Sequence, residues 1–241
     1  MAMAYEIVLL DADDTLFDYP AAERNAFERL CAALSINDVD LALEVYKRIN
    51  LECWAAYQRG EMTQEYLKLA RFERWMAKLG LQPGEAAIPQ ARVVSEIYLD
   101  ALSRESRLLP GALELVMALS QFARLAIVTN GIAMVQKRRL AISPIAPYIE
   151  RLIISEEVGA QKPDRRIFDH ALRLMGHKSP EGVLMVGDSL SSDIAGGNGA
   201  GIDTCFIDNP MGTERGGEAK PTYRVTNLMD VLIIAKEGIR A

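Results

Sequence analysis

The chain has 241 residues, half of them hydrophobic, enough for one large α/β domain or a domain carrying an insertion. Its 27 basic and 33 acidic residues leave a net charge of −6, which disfavours broad attraction to a nucleic-acid polymer or an anionic membrane and leaves room for a small anionic substrate met by local cations. Three scattered cysteines without a C-x-x-C pair predict a reducing cytoplasm, two histidines are too few for a His-rich zinc site, and neither a leader nor a bilayer-length apolar run is read, so a soluble protein is expected.

Ile7 to Leu10 are four apolar residues in a row, the pattern of a strand buried on both faces of a parallel sheet. Three acids, Asp11, Asp13 and Asp14, stand where that strand ends, and ligands of open α/β sheets bind at the carboxyl ends of strands. The side-chain period of two sends Asp11 and Asp13 out on the same side. Two like charges held together need a cation, or one of them must keep its proton. The pair therefore suits a divalent metal bound by oxygens, or a nucleophile beside an acid/base. The alternative is an acidic turn that caps the next helix.

After this the apolar period becomes 3.6. Phe27, Leu30, Cys31 and Leu34 share one face of a helix over Ala21 to Leu34, and Leu41, Val45 and Ile49 form a stripe on a second, Asp38 to Arg59, that stops at Gly60. Thr63 is placed as the N-cap of a third helix with Phe72, Trp75, Met76 and Leu79 on one face, and a fourth spans about Pro89 to Leu102. No strand is legible between Asp18 and Leu109, a stretch far longer than the roughly dozen residues a βαβ crossover needs. An all-helical insertion, residues 18–102, beside a core of residues 1–17 and 103–241 is the economical reading. Such an insertion would make a lid, excluding water and reading the part of a substrate that does not react.

From Leu109 onward helix and strand alternate, as in a Rossmann-like, doubly wound parallel sheet. Leu113, Val116, Met117 and Phe122 form a helix face, and Leu125 to Val128 is a strand that stops at Thr129-Asn130-Gly131. A helix about Ile132 to Ala141, a strand Arg151 to Ile154, a loop holding Lys162 and a helix about Arg165 to Met175 follow. Val183 to Val186 is a strand ending in Gly187-Asp188-Ser189, and Thr204 to Ile207 another. A Gly-rich loop, Asn209 to Gly217, expected to be mobile, a short strand Tyr223 to Val225 and a helix about Leu228 to Lys236 follow.

The strand ends of this half offer polar groups to one crevice: Thr129, Lys162, and Asp188 with Asp193 after it. The Thr129 hydroxyl and the amides of Asn130 and Gly131 could hold a phosphate at a helix N-terminus. Lys162 could neutralise both that phosphate and Asp11. Asp188 adds a carboxylate for a hard cation, most naturally Mg2+ with several retained waters. Singly, Thr-Asn-Gly reads as a turn, Lys before Pro as a solvated loop, and Gly-Asp-Ser as a helix cap. At successive strand ends and in this order, coincidence is a poor account.

On these motifs the chain resembles a haloacid dehalogenase superfamily phosphatase, over its whole length and including the helical insertion. Asp11-x-Asp13-x-Thr15 matches the family's first motif, Thr129 the second, Lys162-Pro163 the third, and Gly187-Asp188-Ser189 with Asp193 the fourth. The resemblance implies Asp11 as nucleophile, Asp13 as general acid/base, and Thr129 with Lys162 on the phosphate. It also implies Mg2+ held by Asp11, the main-chain carbonyl of Asp13 and Asp188, with Asp193 in support. The family more often has its Asn one position later than Asn198, a departure expected to alter loop packing. Dehalogenating members lack an aspartate at the place of Asp13, since a halide leaves without a proton, so the resemblance favours a phosphatase.

The segments Trp54-x-x-Tyr57-x-x-Gly60 and Arg71-Phe72-Glu73-x-Trp75 look like members that act as 5′-nucleotidases on pyrimidine-type nucleoside monophosphates. A flat base would be met by apolar or aromatic contacts, and Phe17, Trp54 and Tyr57 lie near the site in sequence or in the lid. The alternatives are that these aromatics pack the insertion's core and that the enzyme is a broad small-metabolite phosphatase. Two rivals are of another class. A signalling receiver domain gathers similar groups but accepts phosphate on a later strand and has no large helical insertion; a non-catalytic binding protein would not need both Asp11 and Asp13.

Overall fold

The computed structural model describes residues 4–84, 89–208 and 217–238. Its contacts divide the chain into two compact units, Met1–Tyr19 with Ser106–Ala241, and Pro20–Glu105. The first strand, β1 (Ile7–Leu10), is buried along its whole length.

Four helices carry the second unit: α1 (Tyr19–Ala33), α2 (Val39–Gln58), α3 (Gln64–Lys78) and α4 (Ala91–Ser103). Asp38 and Thr63 cap α2 and α3 by accepting from the amides of Leu41 and Tyr66, which satisfies donors the first helical turn leaves open. The core is aromatic: Phe27, Tyr46, Phe72, Trp75 and Tyr98 pack ring to ring, and the Trp75 indole donates to the Ala42 carbonyl at 2.9 Å. The stripe read on α2 is displaced. Leu41 is 52% exposed, and the buried face is Ala42, Leu43, Tyr46, Asn50 and Cys53. The large Tyr46 ring fills the aromatic core, so the helix turns that side inward and leaves Leu41 to solvent.

The other unit continues through α5 (Ala112–Leu119), β2 (Arg124–Thr129), α6 (Ala133–Ile142), β3 (Arg151–Ile154), α7 (Ser155–Val158), α8 (Arg165–Leu174) and β4 (Val183–Gly187). A π-helical turn, Leu190–Ile194, then leads into α9 (Ala195–Ala200), β5 (Asp203–Ile207), β6 (Tyr223–Val225) and α10 (Asp230–Glu237). On α5 the buried residues are Ala112, Leu115, Val116 and Leu119, while Met117 is exposed and Phe122 lies past the helix end. The spacing i, i+3, i+4, i+7 fits this set better than the one read from the sequence. The Gly-rich loop read at Asn209 to Gly217 lies, up to residue 216, outside the described residues.

Among the described residues the six strands are all parallel, in the order β3-β2-β1-β4-β5-β6. Both faces of the sheet are covered, so alternate side chains of each central strand enter different cores. Val8, Leu10, Leu125, Ile127, Leu184 and Val186 pack with α5 and α10; Ile7, Leu9, Ala126, Val128, Val183 and Met185 pack with α8. The chain leaves β1 toward β2 and β3, then returns to its other side for β4, β5 and β6. The strand order therefore reverses at β1, and the crevice such a reversal opens lies at the carboxyl ends of β1 and its neighbours.

Candidate active site

Asp11 follows β1 directly, and its amide donates to the Val186 carbonyl at 2.9 Å, extending the β1–β4 ladder by one residue. The sheet itself thus aims the Asp11 side chain. Beyond it the chain turns tightly: the Ala12 carbonyl accepts from Leu16 and Phe17, and Asp14 takes a positive φ of 65° while its amide donates to the Phe17 carbonyl. A non-glycine residue held left-handed costs on the order of 1 kcal/mol, which neighbouring contacts must offset.

The Lys162 ammonium is 2% exposed and has three acceptors: the Asp11 carboxylate, Asp193 Oδ1 at 2.6 Å and the Val128 carbonyl at 2.7 Å. Burial works against its charge, but Asp11 and Asp193 outweigh that and hold its pKa above the ordinary lysine range. Burial also pushes the Asp11 carboxyl well above the usual carboxylate range; Lys162 pulls against this, while Asp193 and Asp188 add to it. The second oxygen of Asp193 accepts from the Ser189 amide at 3.0 Å. A Cβ on Gly187 would lie 2.3 Å from that oxygen, so only glycine leaves Asp193 its place. Thr15 donates to Asp188 at 3.3 Å.

Asp11, Asp188 and Asp193 are all buried and each offers an oxygen within 4.8 Å of the others. An all-carboxylate donor set fits a hard divalent cation. Asp13 is not part of this cluster. Its carboxylate accepts from Gln136 Nε2 at 2.6 Å and from the Arg139 guanidinium, both on α6. Period two does not carry past Leu10, where the strand ends and the turn begins, so Asp11 and Asp13 have separate partners.

Thr129 closes β2, and its hydroxyl accepts from the Gly131 amide at 3.0 Å in a small side-chain turn. The Asn130 side chain is occupied by the main chain of Lys162, donating to its carbonyl at 2.9 Å and accepting from its amide at 2.8 Å. Its part at the site is to hold the Lys162 loop against β2. Asn198, in the place where the sequence departs from the family pattern, accepts from Thr204 and donates to the Lys220 carbonyl, which ties α9 to β5.

The aromatic residues divide. Phe17 is 1% exposed, within the core, and the Arg139 guanidinium lies 4.6 Å over its ring. That corrects its reading as a base contact: the ring is a platform for Arg139. Phe72 and Trp75 are buried, whereas Trp54 and Tyr57 are partly exposed on α2 as an edge-to-face pair with centroids 5.7 Å apart. Gln136 and Arg139 were not singled out from the sequence. The available signal was their spacing of three, which puts two polar groups on the side of α6 that also carries buried Val135.

A profile of the haloacid dehalogenase-like hydrolases matches residues 5–201. The pyrimidine 5′-nucleotidase YjjG of Escherichia coli is 34% identical over 95% of this chain and 97% of its own length. The pyrimidine 5′-nucleotidase PynA of Streptococcus pneumoniae is 33% identical over 95% and 94%. The solved structure of the HAD-hydrolase YfnB from Bacillus subtilis, bound to magnesium, has a TM-score of 0.86 at 32% identity and covers 96% of this chain and 98% of that one.

Proposed function

The chain belongs to the haloacid dehalogenase-like hydrolase family and is a phosphoric monoester hydrolase, and from that premise we propose that it is a Mg2+-dependent 5′-nucleotidase acting on pyrimidine-type nucleoside monophosphates. The observation that carries the reading is the buried Lys162 between Asp11 and Asp193, with the Asp188 carboxylate alongside. An anionic nucleophile approaches an anionic phosphate only where positive charge offsets their repulsion.

In the proposed reaction Asp11 attacks phosphorus and forms an aspartyl-phosphate as the ester P–O bond breaks. Asp13 gives its proton to the leaving oxygen, then takes one from the water that attacks the same phosphorus, releasing inorganic phosphate and restoring Asp11. Lys162, Thr129 and the amides of Asn130 and Gly131 bind phosphate oxygens. Asp11, Asp188 and the Asp13 carbonyl would hold Mg2+, with Asp193 in support, and the ion supplies the remaining neutralisation of carboxylate and phosphate. Residues 18–102 are proposed as a cap that selects the leaving portion, with Trp54 and Tyr57 as its contacts to a flat base. A cytoplasmic setting suits both the substrate and three buried free thiols.

The second reading is a broad small-metabolite phosphatase, favoured by the generality of the phosphate-binding groups. Catalytic efficiency on uridine and thymidine monophosphates, set against several hexose phosphates, separates the two. A clear preference for the nucleotides is expected; equal values would leave the general phosphatase. Undiminished turnover after thorough chelation would remove the metal from the proposal.

A further inference from the structure

We infer that Gln136 and Arg139 are positioning residues that hold the Asp13 carboxylate for its proton transfers, an inference that rests on reading Asp13 as the general acid/base. Asp13 sits on the turn after β1, where a carboxylate by itself has two free torsions. Two donors fix it: Gln136 Nε2 on one oxygen at 2.6 Å and the Arg139 guanidinium on the other. Both come from one face of α6, three residues apart, so they move as one rigid body.

The surroundings are shaped around this clamp. Arg139 is fully buried, and taking a guanidinium out of water is costly unless it is paired. Its charge is met by Asp13 and by the face of Phe17, whose backbone in turn bridges Asp13. A leucine there would fill the space at lower cost, so the cation calls for a use. Gln136 is 3% exposed and passes across Gly131, where an added Cβ would lie 2.3 Å from its Nε2. The glycine of the phosphate-binding turn is thereby also the opening through which Gln136 reaches Asp13.

The N-terminus of α6 is anchored as well. Ile132, at the cap position, offers no side-chain acceptor, and Glu156 from α7 accepts from the Ala133 amide at 2.8 Å. The helix that follows Thr129 therefore sets the distance between the phosphate-binding turn and the acid/base group. Proton transfer is sensitive to such placement at the sub-ångström level. The chemistry of the two clamping groups differs. Gln136 brings a neutral amide and Arg139 a charged guanidinium, and both donate to Asp13 and keep the group in place.

The test is the dependence of kcat/KM on the leaving group. A 4-nitrophenyl phosphate leaves as a stable phenolate and hardly needs a proton, whereas an alkyl phosphate, such as a nucleoside monophosphate, leaves as an alkoxide that does. Gln136→Met and Arg139→Met should lower kcat/KM on the alkyl ester by about tenfold or more and on the aryl ester by less than about threefold. Arg139→Lys should recover part of the loss. Gln136→Met keeps side-chain length and leaves Arg139 intact, so it reports even where Arg139→Met fails to fold. Adding Gln136→Met to Asp13→Asn should cost little beyond Asp13→Asn alone, because the two act through one group.

Equal losses on both esters, or no loss on either, would overturn the positioning role. Asp13→Asn separates this from failure of the underlying reading. If Asp13→Asn shows the leaving-group split and the α6 variants do not, the clamp is wrong and the acid/base assignment survives. If Asp13→Asn shows no split, the assignment itself is overturned, and the inference with it.

Discussion

Both units bury cations, on different terms. In the sheet unit Lys162 faces Asp11 and Asp193, and Arg139 faces Asp13. In the helical unit Arg71, 1% exposed, donates to the Asn50 side-chain oxygen at 3.1 Å and lies 5.2, 5.3 and 5.9 Å over the rings of Phe72, Tyr98 and Tyr46. A cation set against carboxylates makes a field that an incoming phosphate and metal can share. Arg71, packed over three aromatic rings and not part of the Asp11, Asp188 and Asp193 cluster, fastens the core it lies in. Where a buried charge lies, rather than its burial alone, separates chemistry from architecture.

Three substitutions probe that difference, with the largest effect expected at Asp11, the proposed nucleophile. Asp11→Asn keeps the shape and removes the attacking carboxylate, so kcat should fall by about four orders of magnitude or more while the circular dichroism spectrum stays native. A quenched wild-type reaction should show one added phosphoryl group by intact mass, and the variant none. Most of the rate surviving, with contamination excluded, would refute covalent catalysis.

Lys162→Met leaves Asp11 and Asp193 facing each other in the interior. Near neutral pH and in chelator this should cost about 3–5 kcal/mol of stability. The sign with pH follows from the direction of the carboxyl shift. Burial and the neighbouring acids already raise Asp11, and loss of the cation raises it further. A folded-state pKa above the unfolded one stabilises fully below the unfolded value, and that stabilisation is lost as pH rises through the folded value. Denaturant midpoints of variant and wild type should therefore converge near about pH 4 and separate as pH rises. A constant gap would show that the lost lysine bonds, not the carboxylate pair, carry the effect. Arg71→Met should lower stability less, by about 1–3 kcal/mol, and leave kcat on an aryl phosphate within about twofold. A large loss of turnover there would break the division drawn between the two cations.

The sheet was readable because it is buried on both faces. Runs such as Ile7–Leu10 and Val183–Gly187 have no polar side to confuse the period, and even the short strand Tyr223–Val225 stands where the sequence places it. Helix faces were less readable. Leu41 and Met117 are apolar, in phase with other apolar residues, and exposed, because the period gives an orientation only to within about one residue and packing decides the rest. At the site, residue types at strand ends were visible, but their partners were not. Asn130 and Lys162 clasp each other across 32 positions, and Asp13 reaches Gln136 across 123, relations that exist only once the sheet has brought β1, β2 and the loop after α7 together. Phe17 misled for the same reason: its place next to the acids said nothing of Arg139 above its ring.

The smallest expected effect lies in the helical unit, and it decides what that unit is for. Phe72 and Trp75 are committed to the core, so substituting them would damage the fold and reveal nothing of selectivity. Trp54 and Tyr57 are partly exposed and touch each other edge to face, which makes them removable. If they read a flat base, Trp54→Ala and Tyr57→Ala should each lower kcat/KM for a pyrimidine monophosphate by about three- to tenfold, chiefly through KM, since a contact made equally in ground and transition states changes binding rather than turnover. The same variants should leave 4-nitrophenyl phosphate almost unaffected, because its ring is a poor mimic of a base held beyond a ribose. Parallel losses on both substrates would point to a shared structural role. No loss on either would leave the aromatic pair as surface packing and shift the reading toward the broad phosphatase, with the generic groups Thr129, Lys162 and the carboxylates accounting for all of the affinity.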